Sequence, residues 1–221
     1  FGDLRRVDPI GSEFGIDRAL PGEDRGLPVD RHYIERFLAA HAGDIQGRVL
    51  EIGDDAYTRR YGGDRVTRRD ILNISPNNPQ ATIVADLADA PQIGDALFDC
   101  IILTQTLHLI YDAPSAVQTL HRILKPDGVL LMTVPGLSLV PTQSVWGYTW
   151  YWAFTELAVR RMLGEAFGAQ QIEVQSDGNV LSVVAFLHGL AARELAAHEL
   201  DTIDTDYPLI IAARAWKAGD G

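Results

Sequence analysis

The sequence predicts an α/β fold, with a doubly wound, mostly parallel sheet covered by helices on both faces. Three observations predict it. Short strand candidates alternate with helical segments. Those strands are apolar throughout rather than on every second residue, as expected for a sheet buried on two faces. Each strand also ends in glycine, proline or a polar residue. With 47% apolar residues among 221, the chain has material for a sizeable core.

Residues 1–30 are rich in Gly, Pro and charge and read as an N-terminal arm or lid. Residues 31–221 read as one domain. Asp30 sits where a helix N-cap belongs, and Tyr33, Ile34, Phe37 and Leu38 share one helical face before Gly43. Strand candidates follow at Arg48–Ile52, Arg65–Leu72, Ala81–Ala85 and Phe98–Leu103. Ala113–Leu124 carries a helical period and stops at Lys125-Pro126-Asp127-Gly128, and Val129–Val134 is the next strand. An aromatic segment at about 137–154 follows, then a helix at Thr155–Phe167, a strand at Gln171–Val174, a helix at Val180–Leu195 and a last strand at Leu209–Arg214.

The formal charge of −11 argues against a nucleic-acid partner, which needs a concentrated basic face. The run Arg59, Arg60, Arg65, Arg68 and Arg69 reads as a solvated face offsetting that acidity. No apolar stretch is long enough for a membrane helix, and no basic region followed by an apolar run marks a secretory signal. The single cysteine, Cys100, lies inside a strand as a small buried hydrophobe, and the six histidines are scattered, so no metal cluster is expected. A cytoplasmic location fits these features.

In an open parallel sheet the ligand lies outside the carboxyl ends of the strands. Here those ends read Glu51-Ile52-Gly53-Asp54-Asp55, then Asp70, Asp86-Leu87 and Thr104-Gln105. Asp70 follows Glu51 at about the 20-residue offset at which an acidic residue meets ribose hydroxyls. A crevice lined with acceptors suits a ligand bearing hydroxyls, an ammonium or a sulfonium.

At these residues the chain resembles the class I S-adenosylmethionine-dependent methyltransferases, in their small type 11 group. The stretches that carry the resemblance are Val49–Gly53, Thr82–Leu87, Phe98–His108 and Leu120–Leu131. It implies a Rossmann-like, seven-stranded sheet with a C-terminal antiparallel strand, S-adenosylmethionine as cofactor and S-adenosylhomocysteine as product. It further implies that Glu51 orients the methionine ammonium, directly or through water, and that Gly53 and Asp54 bring the loop to the cofactor. Asp70 would accept from the ribose and Ile71 pack on the adenine. Asp86 and Leu87 would meet the adenine amino group and ring, and Thr104 and Gln105 would flank the methionine. The sequence departs from the pattern where Asp55 and Tyr57 replace the second and third glycines of the loop. Asp55 is the residue type better able to take left-handed geometry; Tyr57 requires the loop to run differently, with its ring over the cofactor as one course.

Methyl transfer needs alignment above all, and an oxygen acceptor also needs its proton removed. His108 is the first candidate base, Tyr148 and His188 weaker ones; His108 also reads as an ordinary helix-packing residue. Trp146, Tyr148, Trp150 and Tyr33 are candidate acceptor contacts. The expected function is therefore methylation, most readily at oxygen, of a small-molecule or glycan-type acceptor in biosynthesis. Two alternatives remain at this point. One is a catalytically degenerate module of this fold within a larger biosynthetic enzyme or complex. The other, weaker for want of loop glycines, is a nicotinamide dehydrogenase.

Overall fold

The computed structural model describes residues 7–10, 26–140 and 150–219. Seven strands form one sheet: β1 (Gly47–Ile52), β2 (Val66–Asn73), β3 (Ile83–Val84), β4 (Phe98–Thr104), β5 (Leu124–Pro135), β6 (Ile172–Asp177) and β7 (Ile210–Trp216). Their order is β3-β2-β1-β4-β5-β7-β6. The first five pair in parallel, while β7 runs antiparallel to both β5 and β6. This is the seven-stranded, mostly parallel sheet with a C-terminal antiparallel strand that the sequence implied. Strand order reverses between β1 and β4, which places the ligand crevice above their carboxyl ends.

The central strands are apolar on both sides because each side is covered. Leu50, Leu72, Ile101, Leu103 and Leu130 pack under helices α2 (Ala113–Ile123) and α3 (Glu156–Phe167). Val49, Cys100, Ile102 and Leu131 pack under α1 (Val29–Ala40) and α4 (Val180–Leu187). Each fully buried Leu or Ile contributes about 1.5–3 kcal/mol. A short helix, α5 (Ala197–Asp201), completes the described elements and has no counterpart in the sequence reading.

Local chemistry sets the ends. Asp112 caps α2 by accepting from the backbone N–H and hydroxyl of Ser115, at 3.1 and 2.7 Å. Thr155 caps α3, and Asn179 with Ser182 forms a reciprocal box at the start of α4. Helix α1 starts earlier than Asp30, behind Pro28, with Asp30 inside the first turn. Helix α4 stops well short of Leu195, because Gly189 takes a left-handed φ of +71°. Strand β5 begins at Leu124 rather than Val129, and the expected Lys125–Gly128 turn lies within it as a register shift. Gly128 is needed there: a Cβ would meet the carbonyl oxygens of Lys125 and Phe98 at 2.9 and 3.0 Å. Among the described residues no helix is long and apolar enough to cross a membrane.

Candidate active site

The site grows from the carboxyl ends of β1, β2 and β4. Strand β1 delivers Glu51 and then Gly53, whose φ of +86° turns the chain across the sheet edge. Among the described residues a Cβ at Gly53 would meet nothing within 4 Å, so there the loop faces open space. Asn78 holds the loop from the other side, its side-chain amide donating to the Gly53 carbonyl at 2.7 Å. Glu51 itself is buried, and its two oxygens accept the backbone N–H groups of Tyr57 and Thr58 at 3.1 and 2.8 Å. Burial pushes its pKa up to about 7, despite those hydrogen bonds, and Asp54 adds repulsion.

The replaced glycines behave differently from the sequence expectation. Asp55 is not left-handed; its carboxylate turns to Arg59 and Arg69, at 2.8 and 3.2 Å. Tyr57 lies in the core beneath α1, its ring 6.2 Å from that of Tyr61, rather than over the crevice. Its hydroxyl accepts from Arg31 of α1. The chain then passes through a π-helical turn at Thr58–Gly62. The other arginines of the run are also engaged: Arg60 with Glu35, Arg65 with the carbonyls of Ala42 and Tyr61, and Arg68 with Asp70.

Strand β2 corrects one assignment. Asp70 is not at its carboxyl end but within the strand, opposite Leu50. It is buried, and its carboxylate is held by Arg48 at 2.7 Å, with Arg68 and Thr82 as further partners. Burial works against its charge, yet those partners hold it below the usual carboxylate range. Ile71, beside it, is likewise core. The strand runs on to Asn73, and the residue just past its end is Ile74, 72% exposed. Asp86 is exposed at the neighbouring edge, with Oδ1 accepting from Ala88 N–H, and Leu87 is buried beside it. Thr104 ends β4, and Gln105 follows with a φ of +47°, rare for a residue with a side chain. Its N–H donates to the Thr133 carbonyl and its side-chain amide to the Thr133 hydroxyl.

His108 is buried, its ring 4.2 Å from that of Trp150. Burial, and next the charge of Arg31, push its pKa down to about 3. It is therefore neutral at physiological pH and a weak base. Its Nδ1 is buried without a hydrogen-bond partner among the described residues. Arg31 links the two halves of the site. Burial opposes its charge, but Asp30, the Tyr57 hydroxyl and Asp54 outweigh that and raise its pKa.

Tyr33 is not an acceptor contact. It is fully buried in the face of α1, with its hydroxyl donating to the Leu200 carbonyl at 3.0 Å. Trp146 and Tyr148 lie outside the described residues. His188 ends α4, with a buried, unpartnered Nδ1 of its own among the described residues. Among those residues no group of three or more His, Cys, Asp or Glu is arranged to hold a metal ion.

Residues 43–132 match the family model described as a methyltransferase domain. The chain is 30% identical over 81 residues to probable polyketide synthase 5 of Dictyostelium discoideum, a stretch covering 36% of this chain and 3% of that protein. The chain thus spans a very small part of the curated relatives it matches. Among solved structures it is similar to phosphoethanolamine N-methyltransferase 2 of Haemonchus contortus in complex with S-adenosylmethionine. The TM-score there is 0.57 and the identity 15%, covering 87% of this chain and 54% of that one. It is also similar to the [4+2]-cyclase SpnF, with a TM-score of 0.53 and 16% identity, covering 86% and 81% of the two chains.

Proposed function

We propose that this chain transfers a methyl group from S-adenosylmethionine to an oxygen of a small-molecule or glycan-type acceptor. The observation that carries the cofactor reading is the open edge formed by Gly53, Asn73-Ile74 and Asp86-Leu87. The Gly53 loop leaves room for a ligand, and Ile74 is a large apolar side chain left bare beside it. In this reading the ribose and adenine roles expected of Asp70 and Ile71 pass to Asn73 and Ile74. Asp86 and the Leu87 backbone take the rest of the adenine. Thr104 and Gln105 flank the methionine portion, Arg31 faces its carboxylate, and Glu51 faces its ammonium.

When bound, the sulfonium supplies a methyl group already activated for in-line displacement. The protein contributes alignment and exclusion of water, worth roughly 7–11 kcal/mol when the geometry is right. Gly53, Asn73, Asp86, Thr104 and Gln105 would hold the cofactor, which would supply that methyl group, and a hydroxyl acceptor would release its proton to solvent at the open edge. His108 is too weak a base to keep that proton, since an effective base titrates near the working pH. Its Nδ1, unpartnered among the described residues, instead suits a neutral hydrogen bond that orients the hydroxyl. The preference for oxygen rests on the aromatic residues after β5 and on the acidic balance of the chain.

A second reading, a binding module that keeps the fold without methyl transfer, is favoured by the loop itself, where Asp55 and Tyr57 are drawn into arginine pairs and the α1 core. Titration calorimetry with S-adenosylmethionine and S-adenosylhomocysteine separates the two. Binding below millimolar concentration is expected, and its absence would favour the module. Label from the cofactor's methyl group should then appear on sugars or phenols from a mixed panel. Label on amines alone would overturn the oxygen assignment.

A further inference from the structure

Past the His108–Trp150 contact lies a set of aromatic residues that the cofactor reading does not use. Tyr111 is 71% exposed, Tyr151 48% and Trp152 39%. The ring of Tyr111 lies nearly parallel to that of Trp152, with centroids 6.0 Å apart and 25° between planes. It meets Tyr151 edge-on at 5.3 Å. Three large neighbouring rings left open to water are unusual on a soluble domain and mark an interaction site.

The cluster is also held in place. The Trp152 indole N–H donates to the carbonyls of Ile110 and Tyr111, at 3.0 and 3.2 Å. The backbone N–H groups of Tyr151 and Trp152 both donate to the His108 carbonyl. Asp112, next along the chain, turns its carboxylate back to cap α2. The rings are thereby tied to the turn that leaves β4, a few residues past Thr104 and Gln105 at the methyl-donor edge. With Trp150 against buried His108, the aromatic residues run from that buried ring outward to Tyr111.

From this geometry we propose that the Tyr111–Tyr151–Trp152 face is the acceptor platform, and that it takes a hydroxylated ring. The indole N–H is occupied, so Trp152 offers its π-face, onto which a flat ring or the C–H face of a sugar stacks. The two tyrosines add hydroxyls for polar groups on that ring. The immobilised rings lose little side-chain freedom when a ligand stacks on them. The site's meaning as an acceptor platform rests on the methyl-transfer reading, but its ring binding is measurable independently.

The test is ligand-observed saturation-transfer NMR on the full chain with catechol, methyl α-glucoside and the acyclic diol ethylene glycol. Catechol or the glucoside, whichever source the ring comes from, should bind saturably while ethylene glycol does not. Tyr111→Ala should weaken that binding by roughly 5-fold or more. Because Trp152 also braces the backbone, Trp152→Phe serves as a second variant, and circular dichroism with melting curves confirms that both fold. S-adenosylhomocysteine affinity, read by calorimetry, should be the same in both variants as in the parent. Failure of both ring probes to bind, equal binding of ethylene glycol, or unchanged ring binding in Tyr111→Ala would overturn the platform. If S-adenosylhomocysteine binds and the rings do not, the platform fails and the cofactor reading stands. The reverse result sinks the cofactor reading and leaves the platform intact.

Discussion

Replacing Glu51 by Gln isolates a pH dependence that the parent protein conceals. Glu51 has its folded pKa raised from 4.5 to about 7. Its stabilising contribution is therefore complete below 4.5 and is lost as pH rises through 7. The full effect is about 3.4 kcal/mol, of which about 2.5 kcal/mol falls between pH 5 and pH 8. His108 works in the opposite direction. Its folded pKa is lowered from 6.5 to about 3, so its contribution is present above 6.5 and lost as pH falls. Between pH 5 and pH 8 it adds about 2 kcal/mol. The two nearly cancel, so these groups leave little net slope in the parent. In Glu51→Gln only the His108 contribution remains, and stability relative to the parent should climb by about 2.5 kcal/mol from pH 5 to pH 8. Any loss from weaker hydrogen bonds to Tyr57 and Thr58 is common to both pH values and drops out of that difference. Urea unfolding followed by circular dichroism at pH 5, 6.5 and 8 measures it. A parent–variant difference that stays constant across the range would refute the argument that Glu51 is ionised at the expense of the fold.

Four further substitutions test the residue assignments. Asp70→Asn should destabilise the protein by about 1–3 kcal/mol through the unpaired Arg48, while Asn73→Ala should instead weaken S-adenosylmethionine binding several-fold; thermal melting and calorimetry read the two, and a loss of cofactor affinity in Asp70→Asn would restore the first assignment. Tyr33→Phe should lower stability by about 1 kcal/mol through the lost bond to the Leu200 carbonyl, with no change in acceptor KM. Arg31→Met should raise the His108 pKa, followed by NMR of the ring protons, and weaken cofactor affinity; an unmoved His108 titration would break the proposed link between the two residues.

Where the sequence and the structure diverge, the cause is usually a tertiary contact with no local trace. The strand-end motifs at Gly53, Asp86 and Thr104-Gln105 were legible because an apolar run meeting a turn residue marks a carboxyl edge. Strand β2 was harder. Its first half, Val66 to Arg69, is mostly exposed, and the apolar signal is confined to Ile71 and Leu72, so the pattern did not separate Asp70 from the strand's end. A better marker was present: Asn73, Ser75, Pro76, Asn77 and Asn78 begin a turn-forming cluster, and the strand ends where it starts. For Tyr33, the helical period that grouped it with Ile34, Phe37 and Leu38 already predicted burial, and burial prevailed over a site role. The contact of His108 with Trp150 and the influence of Arg31 on His108 span long stretches of chain, and no spacing rule reaches them.

The loop after β1 decides what kind of ligand this edge can hold. In a glycine-rich loop the backbone amides that open the following helix point outward and bind an anion such as pyrophosphate. Here the amides of Tyr57 and Thr58 point inward to Glu51, so that anion site is already filled by the protein's own carboxylate. A dinucleotide would find two of its expected donors occupied and a buried acid behind them. A ligand with an ammonium in that place meets the opposite situation, because its charge favours the ionised form of Glu51 that burial opposes. The same reasoning gives affinity a sign: cation binding should lower the Glu51 pKa, and binding of S-adenosylmethionine should strengthen as pH rises through 7. Calorimetry across that range checks it, and an affinity that weakens as Glu51 ionises would remove the ammonium from this position.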